Sequence, residues 1–273
     1  MDEQISKFEQ YLITEEKSAA TIEKYRRDIR CFYAFLADRP ISKEKTIAYK
    51  EYLRARYAPS SVNSMLIALN CFLRFIGLQD CCVKSLKIQR QIFSREDKEL
   101  TKAEYQRLVK AAGNTRISLV IQTICGTGIR VSELQYITAE AVRAGKAVVN
   151  CKNKTRVIFI PTSIQKMLQP YMKKSGITAG TVFVTRNGKP LNRRNIWRDM
   201  KFLCERAGIS PNKVFPHNLR HLFARTFYSV DKDIVRLADL LGHSSVNTTR
   251  IYTMETGNEH RHRLERVEKL LMT

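Results

Sequence analysis

The stretch PHNLRHLFAR, residues 216–225, predicts a helix with two different faces. Leu219 and Phe223 fall on the side that faces a core, because residues three and four apart share one face of a helix. His217 and Arg220 are also three apart, so both can converge on one anion. A guanidinium can clamp two phosphate oxygens, and an imidazole beside it can donate a hydrogen bond or exchange a proton. This helix is therefore a candidate for holding a phosphate group.

A second amphipathic helix is predicted directly downstream, at IVRLADLLGH, residues 234–243. Gly242 ends it, because glycine readily adopts the left-handed conformation that stops a helix, and His243 therefore lies at the helix exit. Tyr252 follows nine residues later, after a segment rich in small hydroxyl side chains. Tyrosine is most often a packing residue, so Tyr252 becomes a candidate nucleophile only in company with other groups.

The segment GTGIRVSEL, residues 126–134, brings an arginine to a break between two predicted helices. It resembles a glycine-rich nucleotide loop, but the G-x-G-x-x-G pattern needs a third glycine where Val131 stands. What remains is Arg130, between the glycines that break one helix and a new helix that carries Glu133. A single arginine at such a place is most often a surface residue, so its function also depends on its neighbours.

The helical pattern changes at KAVVNCKNKTRVIFIP, residues 146–161, where two β-rich runs flank a polar turn. This pattern predicts a hairpin with Lys152 and Lys154 at its tip. A lysine on a turn is nearly always a solvated charge unless other groups of a site lie beside it. A further short strand is predicted at Thr181–Thr185, followed by a turn at Asn187-Gly188.

The first 85 residues predict helix after helix. In SAATIEKYRRDIRCFYAFLAD, residues 18–38, apolar residues recur at steps of three and four and form a core face. The opposite face carries Arg26, Arg27 and Arg30, which are solvated or face an anionic partner. Two further helices complete a small bundle, at 42–56 and 60–76.

Weak periodicity and many charges between Lys84 and Lys98 favour an exposed linker. We therefore predict a helical domain at 1–87, a linker at 88–98 and a second domain at 99–273 with a tail helix at 258–273. The second domain begins with a capping box, in which Glu104 follows Thr101 by three residues. The fold class is mainly α with a small β-sheet.

The charge is strongly positive and unevenly distributed. The chain has 48 Lys and Arg against 26 Asp and Glu, a formal net charge of +22, and +17 of it lies in residues 99–273. Between Arg143 and Arg206 there are 15 basic residues and only 2 acidic ones. An excess of this size favours a polyanionic partner, most commonly nucleic acid, and this stretch is the expected phosphate-facing surface.

The cysteines and the apolar segments indicate a cytoplasmic protein. The seven cysteines are an odd number with no C-x-x-C pair, which favours a reduced chain without a structural metal. The N-terminus lacks the basic-then-apolar order of a signal peptide, and no apolar run approaches the roughly 18 residues of a membrane span. We expect no membrane partner.

Taken together in chain order, the candidate residues form one set: Arg130, Lys152 or Lys154, His217, Arg220, His243 and Tyr252. This set, inside GTGIRVSEL, H-x-L-R-H and L-G-H-x-S…T-x-x-Y, closely resembles the tyrosine recombinase (phage integrase) family, and the resemblance covers nearly the whole chain. It implies a SAM-like helical bundle that binds core DNA, followed by a mixed α/β catalytic domain. The layout is similar to that of the short Xer- and Cre-like members.

The resemblance also implies a mechanism. In this family a tyrosine attacks a DNA phosphodiester and forms a 3′-phosphotyrosyl link, which makes Tyr252 the expected nucleophile. Arg130 and Arg220 are expected to clamp the non-bridging oxygens, since phosphoryl transfer depends mainly on positioning and charge stabilisation. His217 is expected to assist the tyrosine, and His243 to donate a hydrogen bond to the phosphate.

A hairpin lysine is expected to act as general acid towards the leaving 5′-oxygen. Aligning Arg156 with the arginine of the family's hairpin favours Lys152, whereas counting back from Pro161 leaves Lys154 comparably placed, so both stay candidates. Glu133 resembles the acidic residue that supports the first arginine. No metal or other cofactor is expected, because the covalent link conserves the phosphodiester energy for resealing.

The expected partners are double-stranded DNA with paired recombination sites and further copies of the chain, in a tetramer on DNA. The tail can dock on a neighbouring copy or pack on its own domain, and the sequence favours neither. Such a protein would be associated with the nucleoid. The candidate DNA-binding residues are Arg26, Arg27, Arg30, Arg156, Arg193, Arg194 and Arg198.

Two alternatives use the same residues differently. A type IB topoisomerase carries out similar chemistry without a partner site, and an accessory protein could bind DNA without cleaving it. The DNA target is a separate matter, because sequence preference depends on a few side chains at base edges and on DNA deformability.

Overall fold

Four α-helices build the described part of the N-terminal unit in the computed structural model, which divides into Met1–Arg90 and Gln91–Thr273. The structure describes residues 2–88, 96–151, 154–252 and 257–272, with side chains at all of these positions except 96, 151, 154, 257–260, 262 and 263. The helices of the first unit are α1 (Asp2–Thr14), α2 (Ala19–Leu36), α3 (Lys43–Arg54) and α4 (Pro59–Phe75). The last two begin and end within two residues of the predicted bounds.

Aromatic side chains fill the centre of this bundle. Phe8, Phe32, Phe72 and Tyr49 are buried, and the rings of Phe8 and Phe72 meet edge to face with their centroids 5.2 Å apart. Burying each such ring contributes roughly 1.5–3 kcal/mol relative to leaving it exposed. The apolar faces of the four helices are thus sufficient to form an independent core.

Two asparagines on α4 hold the chain that leaves the bundle. Asn70 exchanges hydrogen bonds of 2.8 and 2.9 Å with the backbone of Val83, and Asn63 exchanges bonds of 2.9 and 2.7 Å with that of Leu86. An amide side chain can satisfy a backbone donor and acceptor together in this way. The chain up to Leu86 therefore belongs to the first unit. The predicted linker at 88–98 falls largely outside the described residues.

Nine α-helices and one hairpin make up the described part of the second unit. The helices before the hairpin are α5 (Lys102–Ala112), α6 (Arg116–Thr127) and α7 (Ala139–Ala144). The hairpin is formed by β1 (Lys146–Cys151) and β2 (Lys154–Phe159). The helices after it are α8 (Thr162–Lys174), α9 (Arg193–Ala207), α10 (Pro216–Asp231), α11 (Ile234–Leu241), α12 (Val246–Thr249) and α13 (Gly257–Leu271).

The hairpin confirms the predicted change of period. Its strands pair antiparallel from Lys146 opposite Phe159 to Cys151 opposite Lys154. The strand predicted at Thr181–Thr185 was wrong, because this segment makes only isolated bridges at its two ends. The predicted turn after it is present, with the amide of Gly188 donating to the carbonyl of Thr185 at 3.1 Å.

Helix ends in the second unit follow the capping signals in the sequence. The Thr101 side chain and Glu104 form the predicted capping box at the start of α5. The helix predicted after the break that follows α6 is a 3-10 helix, Val131–Tyr136, and it carries Glu133. Among the described residues, no helix is long and apolar enough to cross a membrane.

Candidate active site

Three arginines meet at the C-terminal end of α11. The last carbonyls of a helix have no partner inside it and carry partial negative charge, so cationic donors satisfy and stabilise them. The three pairs are Arg156 Nη1 with the Leu240 oxygen (2.6 Å), Arg220 Nη2 with the Leu241 oxygen (2.7 Å) and Arg130 Nη2 with the Gly242 oxygen (3.1 Å). The end of α11 therefore joins three separate parts of the chain.

Gly242 ends α11 as the sequence predicts, and it also lets an arginine side chain pass close to the backbone. Its φ is 63°, in the left-handed region that favours glycine. A Cβ atom at this position would lie 2.5 Å from Cδ of Arg156. Any side chain here would therefore displace Arg156, in addition to the strain of the left-handed conformation.

Glu133 is the buried carboxylate at the centre of this arrangement, with only 2% of its side chain exposed. It accepts from the Arg130 side chain at 2.9 Å, from the Arg130 amide at 2.9 Å and from Arg156 Nη2 at 2.6 Å. Burial raises the pKa of Glu133, but these hydrogen bonds and charges outweigh burial and hold the pKa below its ordinary value. Glu133 is therefore ionised and orients the Arg130 guanidinium.

Arg156 differs from the prediction that it faces DNA. Its side chain is only 14% exposed, and both Nη atoms donate to groups inside the domain, Glu133 and the carbonyl of Leu240. The prediction was wrong because the residue lies on the inner side of β2, which a count of basic residues along the chain cannot show. Arg156 therefore contacts Glu133 and the end of α11, which hold the site residues in position.

Arg220 is almost completely buried, at 2% exposure. Its Nη1 donates to the carbonyl of Gly128 at 2.5 Å, where α6 ends. Burial lowers the pKa of Arg220 to about 10, the nearby charge of Arg130 adds to this, and the hydroxyl of Tyr252 opposes it. The site thus holds three guanidinium groups and one buried carboxylate, which pairs with Arg130 and Arg156, and an anion bound beside Arg220 would relieve the excess of positive charge.

His243 is held in a defined tautomer. Its Nε2 lies 3.1 Å from Arg220 Nη2, and its Nδ1 lies 2.9 Å from the hydroxyl of Thr249. Because a guanidinium N–H can only donate, Nε2 accepts and the ring proton is on Nδ1. Burial and then the charges of the neighbouring arginines lower the pKa of His243 to about 4, so the ring is neutral at pH 7.

Another histidine of α10, His221, lies between His217 and Tyr252. The Nε2 atoms of His217 and His221 are 3.2 Å apart, and the His221 ring meets the Tyr252 ring edge to face, with centroids 4.5 Å apart. Burial lowers the pKa of both histidines, that of His221 to about 4, and the Arg220 charge lowers both further. The sequence signal for His221 was its place one helical turn after His217, but we did not predict it.

Tyr252 lies inside this group of side chains, at the end of the short 3-10 turn Arg250–Tyr252. It is 3% exposed and packs with Ala224, Leu237 and Leu241. Its ring is nearly parallel to that of His243, with centroids 5.9 Å apart. Five predicted residues, Arg130, His217, Arg220, His243 and Tyr252, are thus brought together by α10, the end of α11 and the turn after α6.

The hairpin lysines are described incompletely. Lys152 lies outside the described residues, and Lys154 is described only by its backbone, as the first residue of β2. The choice between them stays a prediction.

The other predicted basic residues divide by exposure. Arg193, Arg194 and Arg198 are exposed on α9, and the charge of Arg193 helps to lower the pKa of His217, which puts this arginine near the site. In the first unit Arg27 and Arg30 are exposed. Arg26 instead forms ion pairs with Glu9 and Glu23.

Two protein families match the chain. The phage integrase family matches residues 98–259, and the SAM-like N-terminal domain of phage integrases matches residues 5–79. A tyrosine recombinase XerA from Thermococcus kodakarensis is 30% identical over 282 residues, covering 99% of this chain and 96% of the relative.

Solved structures agree with these matches. The crystal structure of a XerA recombinase is 27% identical with a TM-score of 0.55, covering 97% of this chain and 98% of that one. A lambda integrase tetramer bound to a Holliday junction is 19% identical with a TM-score of 0.73, covering 92% of this chain and 76% of that one. The predicted fold class is confirmed, including the SAM-like first unit.

Proposed function

The chain belongs to the phage integrase family of tyrosine recombinases, and we propose that it cleaves DNA by attack of Tyr252 on a phosphodiester. The family comprises site-specific recombinases that act through a covalent phosphotyrosine intermediate and require neither metal nor ATP. This chain is a site-specific recombinase of that kind. A reaction of that kind needs a nucleophile, cations at the phosphate and a proton donor for the leaving oxygen.

The observation that carries the assignment is the excess of cations around Tyr252. Glu133 pairs with Arg130 and Arg156, whereas Arg220 donates to two backbone carbonyls and has no carboxylate partner among the described residues. A phosphate beside Arg130 and Arg220 supplies the missing negative charge, and their planar donors fit its non-bridging oxygens. Charge that builds on those oxygens in the transition state is then stabilised by groups already in place.

The neutral histidines suit proton transfer from the nucleophile. An imidazole accepts a proton only when it is neutral, and burial together with the neighbouring cations keeps His217 neutral by lowering its pKa. His243 accepts from Arg220 in the DNA-free protein. To donate to a phosphate the ring must carry its proton on Nε2, which a neutral imidazole does when the Thr249 hydroxyl donates to Nδ1.

The remaining roles follow from position in the chain. Lys152 or Lys154, where β1 is joined to β2, protonates the leaving 5′-oxygen. The helical domain (1–87) and the catalytic domain (99–273), joined by a linker at 88–98, both contact the recombination site. The exposed arginines that contact its phosphates are Arg27, Arg30, Arg193, Arg194 and Arg198. The protein works in the cytoplasm on nucleoid DNA.

We propose that α13 docks on a neighbouring copy of the chain in a DNA-bound tetramer. Leu264, Val267, Leu270 and Leu271 lie along α13 and are 49–80% exposed, so their own domain does not cover them. The same domain has an apolar groove of about 390 Å³, lined by Tyr105, Cys125, Leu222, Phe223, Phe227 and Val230. If α13 of each copy lies in the groove of the next copy, the apolar side chains of the helix and those of the groove are both buried.

Replacing Leu270 with Asn should weaken assembly and leave the chemistry of one copy intact. Fully burying a leucine contributes roughly 1.5–3 kcal/mol, so cooperative binding to paired half-sites should weaken by about tenfold or more. Lys269→Asn puts the same side chain on another side of α13 and serves as the control. Native gels with one and two half-sites measure the difference. Equal cooperativity in both variants would contradict docking through this helix.

Covalent trapping tests the function itself. The protein is incubated with a pool of nicked duplexes whose arms are randomised, the products are denatured, and DNA attached to protein is sequenced. We expect a denaturant-resistant adduct with the 3′ end of the cleaved strand and a common, partly palindromic sequence among the trapped arms. A protein that traps no DNA from the pool would overturn the proposal.

Recombination between two copies of the trapped site separates this function from the alternatives. A type IB topoisomerase relaxes supercoils without needing a second site, and an accessory protein yields no adduct. The family matches and the relatives are recombinases and integrases, and no observation favours either alternative. We therefore expect exchanged flanks only when both duplexes carry the trapped sequence.

A further inference from the structure

Arg156 has a role that neither phosphate binding nor packing explains. Arg130 and Arg220 also contact the end of α11, but under the proposed function both must direct donors towards a phosphate. All three donate from both Nη atoms to groups inside the domain, but Arg156, at 14% exposure, is the one that the proposed function does not assign to the phosphate. Of the three arginines at the end of α11, it alone can keep the same contacts before and after DNA binds.

We propose that Arg156 is a positioning residue for strand cleavage: it anchors the end of α11, and through it the segment that carries His243 and Tyr252. The proposal rests on the proposed function, since it concerns the same reaction. Arg156 touches neither the nucleophile nor the expected phosphate position. It acts through Glu133 on one side and the carbonyl of Leu240 on the other.

The first support is the geometry of the two hydrogen bonds. Both are 2.6 Å long and start from different Nη atoms, so one reaches the 3-10 helix and the other reaches α11. A planar guanidinium with fixed donors sets the distance between its two acceptors, which a flexible ammonium group cannot do. Arg156 thereby fixes the spacing between Glu133, which orients Arg130, and the helix end that delivers His243.

The second support is that the position of Arg156 is unfavourable for the stability of the folded protein. Nε of Arg156 is buried and has no hydrogen-bond partner among the described residues. A buried donor without a partner lowers the stability of the folded protein. Gly242 is also required, because a Cβ there would lie 2.5 Å from the Arg156 side chain. If position 156 contributed only to stability, a side chain that leaves no buried donor unpaired and does not require glycine at position 242 would serve better.

Arg156→Gln tests the proposal on the DNA trapped from the pool. We expect single-turnover adduct formation to slow by about 10- to 100-fold, the loss that accompanies a misplacement of about 1 Å in a catalytic group. Equilibrium binding to the same duplex should change by less than about threefold, because Arg156 contacts no DNA. Arg156→Lys keeps the charge beside Glu133 but cannot hold both acceptors. Its rate of adduct formation should therefore lie between those of the wild-type protein and Arg156→Gln.

Arg107→Gln is the matched control. Arg107 donates to the carbonyl of Ala207 at 3.2 Å and so caps the end of α9, as Arg156 caps α11, but this hydrogen bond involves no residue of the site. We expect adduct formation at the wild-type rate. If Arg156→Gln fails to fold, the lysine variant carries the same comparison.

A sulfur leaving group identifies the part of the site that Arg156 positions. A duplex with a 5′-bridging phosphorothiolate releases a thiolate, which needs no proton from the hairpin lysine. We expect Arg156→Gln to stay slow on this substrate, because its contacts lead to Glu133 and α11. Recovery on the thiolate substrate would show that Arg156 acts through the hairpin and would overturn the proposal.

The remaining outcomes are distinguishable. A wild-type cleavage rate in Arg156→Gln also overturns the proposal while leaving the recombinase function intact. A parallel loss of binding and cleavage would assign Arg156 a structural role and overturn it as well. If the wild-type protein forms no adduct, the proposed function itself has failed.

Discussion

Tyr252→Phe should abolish the covalent protein–DNA adduct and leave the fold intact. The variant removes one oxygen atom, which is the atom that would become bonded to phosphorus, so no slower version of the same reaction remains. The ring is retained in its contacts with Leu241 and the His221 ring. The unfolding free energy should therefore change by only about 1 kcal/mol, the typical contribution of one hydrogen bond.

Denaturing gels with the trapped duplex measure the adduct, and thermal unfolding with DNA titration shows that the variant is otherwise sound. Tyr228→Phe removes the same atom from a ring that packs against the same small core, and should form the adduct normally. An undiminished adduct in Tyr252→Phe would mean that another residue attacks the DNA. Ten other tyrosines are available, since the chain has 11.

The sequence predicted the residues of the site better than the contacts between them. Periodicity placed His217 and Arg220 on one helix face, and the glycine rule ended α11 at Gly242, because both depend only on local backbone geometry. The meeting of α10 with the end of α11 and with the turn after α6 depends on tertiary packing. Spacing along the chain therefore could not predict that Arg220 would bond to the carbonyls of Gly128 and Leu241.

Arg156 and His221 show the two ways in which the prediction fell short. Arg156 was assigned to the DNA surface because it lies in a basic stretch, but strand alternation turns it inward, opposite the exposed Val157. His221 was not predicted because its contact in the structure, Tyr252, is 31 positions away in the chain. Long-range contacts of this kind carry no local signal in one sequence.

Arg220→Gln should cause a large loss of activity and a clear loss of stability together. Arg220 donates to the carbonyls of Gly128 and Leu241 while it faces the expected phosphate position. Without it those buried carbonyls lose a charged donor, and each unsatisfied group costs about 1–3 kcal/mol. Removing one preorganised donor to a developing oxyanion lowers the rate by about 10²- to 10³-fold, and the lost charge adds to this.

Two further measurements distinguish the effect of the lost charge from the effect of the lost stability. The slope of log binding constant against log salt should become shallower by about one phosphate contact. His243 should also titrate at a higher pH, because the charge of Arg220 is, after burial, the largest cause of the lowered pKa of that ring. Nuclear magnetic resonance of the ring carbons follows this pKa in the DNA-free protein.

Arg220→Lys keeps the charge and tests whether charge alone is sufficient. An ammonium group cannot hold the carbonyls of Gly128 and Leu241 and a phosphate in one plane, so we expect the pKa of His243 to stay low while adduct formation remains impaired by about 10²-fold. A lysine variant with wild-type adduct formation would mean that positive charge, rather than the planar array of donors, is what Arg220 supplies. The function of Arg130 would then need the same test, because its guanidinium is held by Glu133 in a comparable way.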